Sequence, residues 1–143
     1  MNKPYLRKLA SLLEDMPVAR KQLLIPIQKL DMETWFDTHE FQECGTTACA
    51  GGLASLHPWF RNRGLKTSSE SQFKNMSTAR IHAFIPAYKN ESGYDALGIF
   101  FGLSDSEVKY IFCPYTYTVR RGPKTVAKRI RDLIQNGMPA YGF

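Results

Sequence analysis

His39, Cys44, Cys49 and His57 gather the nucleophilic and metal-ligating side chains of this chain into one short stretch. Between them runs Gln42-Glu43-Cys44-Gly45-Thr46-Thr47-Ala48-Cys49-Ala50-Gly51-Gly52-Leu53-Ala54, where almost nothing is larger than a threonine. A thiol at a helix N-terminus loses its proton easily, because unpaired amides and the helix dipole favour thiolate. A helix beginning near Cys44 or Gly45 would give Cys44 that place, with His39 as its base and His57 and His82 as the remaining imidazoles. Glu40 and Glu43 act the other way, since neighbouring carboxylates raise a thiol's pKa. Cysteines set among Ala and Gly are also common as inert core residues. The balance favours a non-enzymatic chain, with Cys44 and His39 as the catalytic alternative.

Metal chemistry fits the same residues less well. Cys49 and His57 are eight positions apart on one expected helix, a rise of about 12 Å. A tetrahedral zinc site holds its ligands at about 2.0–2.3 Å from one ion. Neither the tetrad nor a set that draws in Cys113 is expected to bind metal, and no cofactor is expected. An anion at the start of the central helix is a further possibility. Gly45, Thr46 and Thr47 offer amides and hydroxyls, but the lysine of a phosphate-binding loop is missing. Asp31, Glu33, Asp37, Glu40 and Glu43 all precede them.

The stronger binding signal lies near the C-terminus. Arg120, Arg121, Lys124, Lys128, Arg129 and Arg131 follow Tyr117 with no acidic residue among them, in a chain of net charge +6. Lys124, Lys128 and Arg131 share a helix face away from Val126, Ile130 and Leu133. Tyr115 and Tyr117 lie just upstream, where rings stack on bases. Arg120, Arg121, Lys124, Lys128, Arg131, Tyr115 and Tyr117 are therefore the expected contacts to a nucleic acid or nucleotide-like polyanion. Trp59 and Phe60, if exposed, would suit a third role as an inhibitor of a host protein.

The elements that must position these residues are mostly helical. At 143 residues the chain has the length of one domain, 1–143, with an apolar share of 43%. Pro4 to Met16 has helical spacing, with Pro17 ending it. Arg20 to Leu30 keeps helical spacing around Pro26, and Asp31 to Glu43 reads as a loop. The central helix runs to Leu56, capped by Thr46 or Thr47, and His57-Pro58 ends it. Gly64 suits a stop. Lys66 to Asn75 is a polar, Ser-rich loop. Arg80 to Tyr88 alternates like a strand, with a hairpin partner near Phe73, and Lys89 to Gly93 turns the chain. Tyr94 to Phe101 is an apolar helix closed by Gly102. Ser104-Asp105-Ser106-Glu107 is a capping box, and Pro123 opens the last helix. The fold class is mainly α, a compact single-domain helical fold around a small-residue central helix, with at most a small β-hairpin. No apolar run approaches a membrane span and Met1 to Leu6 lacks a signal-peptide core, so the cytoplasm is the expected compartment, with no membrane partner.

The motif Cys44-Gly45-Thr46-Thr47-Ala48-Cys49-Ala50-Gly51-Gly52, followed by Phe101-Gly102-Leu103-Ser104, Ile111-Phe112 and the helix Pro123 to Gly137, resembles a group of small uncharacterised phage and prophage proteins. They share a Cys-Gly-Thr-x-x-Cys-x-x-Gly helix start. The resemblance implies a phage-type origin and a place in the host cytoplasm, and it brings no activity or catalytic residues. Cys44-Gly45 also resembles the helix start of papain-like peptidases, although the aromatic residue that follows their nucleophile is replaced here by Gly45.

Overall fold

Seven helices and six short strands make up the described part of a computed structural model, which covers residues 1–23, 29–30, 36–37, 47–67, 86–113, 116–117 and 122–140. Helix α1 (Lys3–Glu14) starts where the Asn2 side chain accepts the Tyr5 N–H at 3.2 Å, a first-turn cap with Pro4 beside it. Its Leu6, Leu9, Ala10, Leu12 and Leu13 are buried. Pro17 does not end this helix. The chain leaves it after Glu14, and Pro17 opens a second short helix, α2 (Met16–Ala19), because proline suits a first turn.

The largest departure from the sequence reading comes next. Thr47 and Ala48 form strand β3 (Thr47–Ala48), paired in parallel with β1 (Lys29–Leu30) and antiparallel with β2 (Phe36–Asp37). Leu30 is thus in a strand and not on a helix, and Phe36–Asp37 is a strand inside the expected loop. The central helix α3 (Ala50–Leu56) begins only after this sheet. All seven of its residues are buried, packed against α1, α4 (Pro58–Arg61) and strands β4 (Lys66–Thr67) and β5 (Pro86–Tyr88). Ala, Gly and Ser at five of those seven positions let neighbours close in on every side.

A second sheet takes the order β4-β5-β6, antiparallel throughout, with β6 at Glu91–Ser92. Tyr88 faces Glu91 across a two-residue turn in which Lys89 (φ 48°) and Asn90 (φ 68°) both lie in the left-handed region. That is the backbone of a type I′ hairpin, whose twist matches its strands. The expected strand is therefore real at its end, while its first part and the Phe73 partner lie outside the described residues. So does the Ser-rich loop beyond Thr67.

The last three helices follow their local signals. Helix α5 (Gly93–Phe101) ends at Gly102 in the left-handed conformation (φ 64°). In α6 (Asp105–Phe112) both bonds of the capping box form, Ser104 Oγ accepting from Glu107 N and Glu107 Oε1 accepting from Ser104 N at 2.9 Å. Helix α7 (Pro123–Asn136) buries Val126, Ala127, Ile130 and Leu133 and lies along α1. One apolar cluster joins α1, α3, α4, α5, α6 and α7. The architecture is mainly α with small sheets. Among the described residues no helix is long and apolar enough to cross a membrane.

Candidate functional site

The thiol and anion readings depended on a helix starting at Cys44 or Gly45. Helix α3 begins at Ala50, after strand β3, so the amide of Thr47 is not helix-terminal. His39, Cys44, Gly45 and Thr46 lie outside the described residues. The cap is Cys49, whose Sγ accepts the Gly52 N–H at 3.4 Å in a buried position, which makes this thiol a structural group. His57 is equally committed. Its Nε2 is 2.8 Å from Gln22 Oε1 and its Nδ1 accepts the Trp59 N–H, capping α4. The proton therefore sits on Nε2, and burial holds the ring's pKa below its ordinary value, with Lys8 adding to the effect. Among the described residues no three His, Cys, Asp or Glu side chains are grouped to hold a metal ion.

The cations of α7 are also largely engaged with the protein itself. Arg129 lies between two tyrosines, its guanidinium carbon 3.7 Å from the Tyr117 ring centroid and 4.4 Å from that of Tyr110. It donates to Tyr110 O, Thr116 O and Thr116 Oγ1, each at 2.7 Å. Arg131 holds the Glu14 carboxylate of α1 with two bonds, one of 2.8 Å from Nε. The hydrogen bond from Arg131 keeps that carboxyl below the usual range. Lys128 bonds Asp132 at 2.8 Å, one turn on, and Lys124 is exposed. Tyr117 is not available for stacking: it is buried, and its hydroxyl donates to Ile111 O at 2.7 Å. Burial pushes its phenol well above its ordinary pKa, while Arg129 pulls the other way. Tyr115, Arg120 and Arg121 lie outside the described residues.

A different surface brings rings and cations together. Tyr5, Trp59 and Tyr88 are partly exposed; Tyr5 and Tyr88 both meet the buried ring of Phe100, and Trp59 packs on Tyr5. Tyr5 stands 5.4 Å from Trp59 and 4.8 Å from Phe100, and Tyr88 stands 5.2 Å from Phe100. Two of the outer rings, Trp59 and Tyr88, have cations beside them. The Arg63 guanidinium lies 3.6 Å from the Trp59 centroid, held there by a bond to Trp59 O, and Lys8 Nζ is 5.8 Å from the same ring. Lys89 Nζ is 5.3 Å from Tyr88. Phe60, expected beside Trp59 on a docking face, is fully buried instead.

Two cavities of about 430 Å³ each flank the β5–β6 hairpin. One is walled by Gly64, Lys66, Thr67, Tyr88, Lys89 and neighbouring hairpin residues. Here Thr67 Oγ1 is buried with no hydrogen-bond partner, a defect of about 1–3 kcal/mol for a neutral polar group. The other cavity lies between α5 and α6 and carries Glu91, Asp95 and Asp105 beside the exposed Ile99. Among the described residues these carboxylates gather at this cavity, while Lys8, Arg63 and Lys89 lie on the ring surface. Comparison with protein-family models, with curated proteins and with solved structures finds no match.

None of Tyr5, Lys8, Arg63, Tyr88 and Lys89 stood out in sequence, because α1, α4 and the hairpin are far apart along the chain. The one local signal was Trp59-x-x-x-Arg63, a spacing that lets a guanidinium reach back over the ring one turn earlier.

Proposed function

We propose that the protein is a non-enzymatic binder of a polyanionic chain, and that single-stranded nucleic acid is the class its surface fits. The observation that carries this reading is the Tyr5–Trp59–Tyr88 surface, where partly exposed rings alternate with Lys8, Arg63 and Lys89. Proteins that hold single strands use this pairing, rings for the bases and cations for the phosphates. A guanidinium stacked on an indole has an outer face on which a base can lie. Arg120, Arg121, Lys124 and Lys128 extend the same reading to the C-terminal segment, as a track for the backbone. Arg131, bound to Glu14, contributes only by exchanging that partner. The phage-type origin suggested by the Cys44 to Gly52 motif belongs to the same proposal, with a host or phage polynucleotide as ligand.

Trp35 and Trp59 are the two tryptophans of the sequence, so Trp35→Phe leaves one reporter on the proposed surface. Titration of that variant with oligothymidylate is expected to quench Trp59 emission, and the binding should weaken steeply as salt is raised. Unchanged emission together with unchanged oligonucleotide anisotropy at low salt rejects the reading.

A further inference from the structure

We propose that His57 is a proton-operated latch for the ring surface: a proton taken up at Nδ1 breaks the bond that holds Trp59 and loosens the indole together with the guanidinium stacked on it. Both ring nitrogens are in use. Nδ1 accepts the Trp59 N–H at 3.2 Å, the side-chain cap of α4, while Nε2 donates to Gln22 Oε1 at 2.8 Å. A second proton can enter the ring only at Nδ1, where it would set one N–H against another. The ring is 5% exposed, so it cannot carry that charge in place without losing its water. The residue it lets go is the centre of the surface. Trp59 packs edge-on against Tyr5, its ring carries the Arg63 guanidinium, and its carbonyl accepts from Arg63 Nη1 at 2.8 Å.

The surroundings set the direction in which acid acts. Of the charged side chains on α1, Lys8 is the one that acts on the ring. The cations Arg61 and Arg63 stand on α4 and in the turn after it, while α2 and α3 carry no titratable side chain apart from the cap itself. Among the described residues no carboxylate acts on His57 to favour the charged form, and the free amides at the start of α4 oppose it. Burial and Lys8 therefore keep the ring neutral to below its ordinary value of about 6.5, and the latch opens on the acid side of that pH. Its effect on binding rests on the Trp59 surface being the polyanion site, and it has a sign that charge alone does not give. Acid adds positive charge to the chain, which by simple attraction strengthens the hold on a polyanion. The latch weakens it.

The switch is read first in the free protein. With Trp35→Phe, Trp59 is the sole tryptophan, and its emission is expected to shift to the red through a single protonation between about pH 7 and about pH 5, with unchanged far-UV dichroism. His57→Asn keeps an acceptor for the Trp59 N–H and cannot titrate, so its emission should stay constant. Gln22→Glu, at an exposed position, sets a carboxylate beside Nε2 and should raise the midpoint by about 1 pH unit or more, a test that stands even if His57→Asn folds poorly. Oligothymidylate keeps its charge over this range. It should bind the parent about fivefold more weakly near pH 5.5 than near pH 7.5, the loss of one helix cap, and His57→Asn no more weakly. Emission that ignores pH, emission that changes alike in His57→Asn, or a midpoint that Gln22→Glu leaves in place overturns the proposal. Tighter binding in acid by the parent overturns it too. No oligothymidylate binding at any pH, with the emission change intact and lost in His57→Asn, removes the polynucleotide reading and leaves the latch standing.

Discussion

At the scale of single residues, the charged and polar side chains nearest the core are shaped for support. Arg129 is the clearest case, since its planar fork reaches three acceptors while its faces meet Tyr110 and Tyr117. Lysine keeps the charge but has neither the fork nor the flat face. Arg129→Lys is therefore expected to lower stability by about 2 kcal/mol, read as a shift in urea midpoint at unchanged slope. A loss within error would mean the stack contributes nothing. His57 gives a pH dependence with a definite sign. Its side chain faces Gln22, the Trp59 amide and the Phe60 ring edge, and among the described residues the charged group acting on it is Lys8. The folded-state pKa lies below the unfolded value of about 6.5. Below that pH the unfolded chain takes up a proton that the folded one refuses, so stability falls as pH drops through about 6.5 and levels off beneath the folded value. His57→Asn, which can still cap α4 but cannot titrate, should flatten this limb of the profile. An unaltered profile would assign the acid sensitivity to other groups.

Among the elements, helix ends separate what was legible in the sequence from what was not. The capping box at Ser104, the stops at Gly102 and Gly137 and the proline start at Pro123 were all readable, because each is settled by residues within one turn. Their energetics can be tested by paired substitutions. Gly102 is left-handed, and a Cβ there would stand 3.1 Å from the Asn2 backbone nitrogen, so Gly102→Ala should cost about 1–2 kcal/mol or more. Gly122 caps α7 at φ −70° with no side-chain bond and open space around it. Gly122→Ser should raise stability by a few tenths of a kcal/mol, roughly one degree or more in melting temperature. A Gly102→Ala variant as stable as the parent would show that the α5 end can open at no cost. The start of α3 was not legible in the same way. Thr46 and Thr47 are good caps, but Thr47 and Ala48 are claimed by pairing with β1 and β2, strands ten or more residues away, and the cap passes to a cysteine. Tyr117 was misread for a similar reason. Its place beside the basic run suggested a ring for stacking on bases, whereas its partners are Ile111 on α6 and Arg129 on α7.

Over the whole molecule, the question is whether net charge or its arrangement directs binding. A chain of +6 attracts any polyanion weakly, whatever its surface looks like. The folded arrangement is more specific: Lys8, Arg63 and Lys89 sit on the ring surface, while Glu91, Asp95 and Asp105 share the cavity between α5 and α6. The two accounts separate in their salt dependence. Each phosphate contact to a single strand contributes about 0.7 to the slope of log affinity against log salt. Lys8→Ala with Arg63→Ala should therefore lower that slope by roughly 1.4 and weaken oligothymidylate at low salt. Asp95→Asn with Asp105→Asn adds two units of positive charge away from the rings. It should leave the slope unchanged and move affinity little at physiological salt, where the field of exposed charges dies away over about 8 Å. If net charge governs, the second pair strengthens binding as much as the first weakens it, and the ring surface has no special part in recognition.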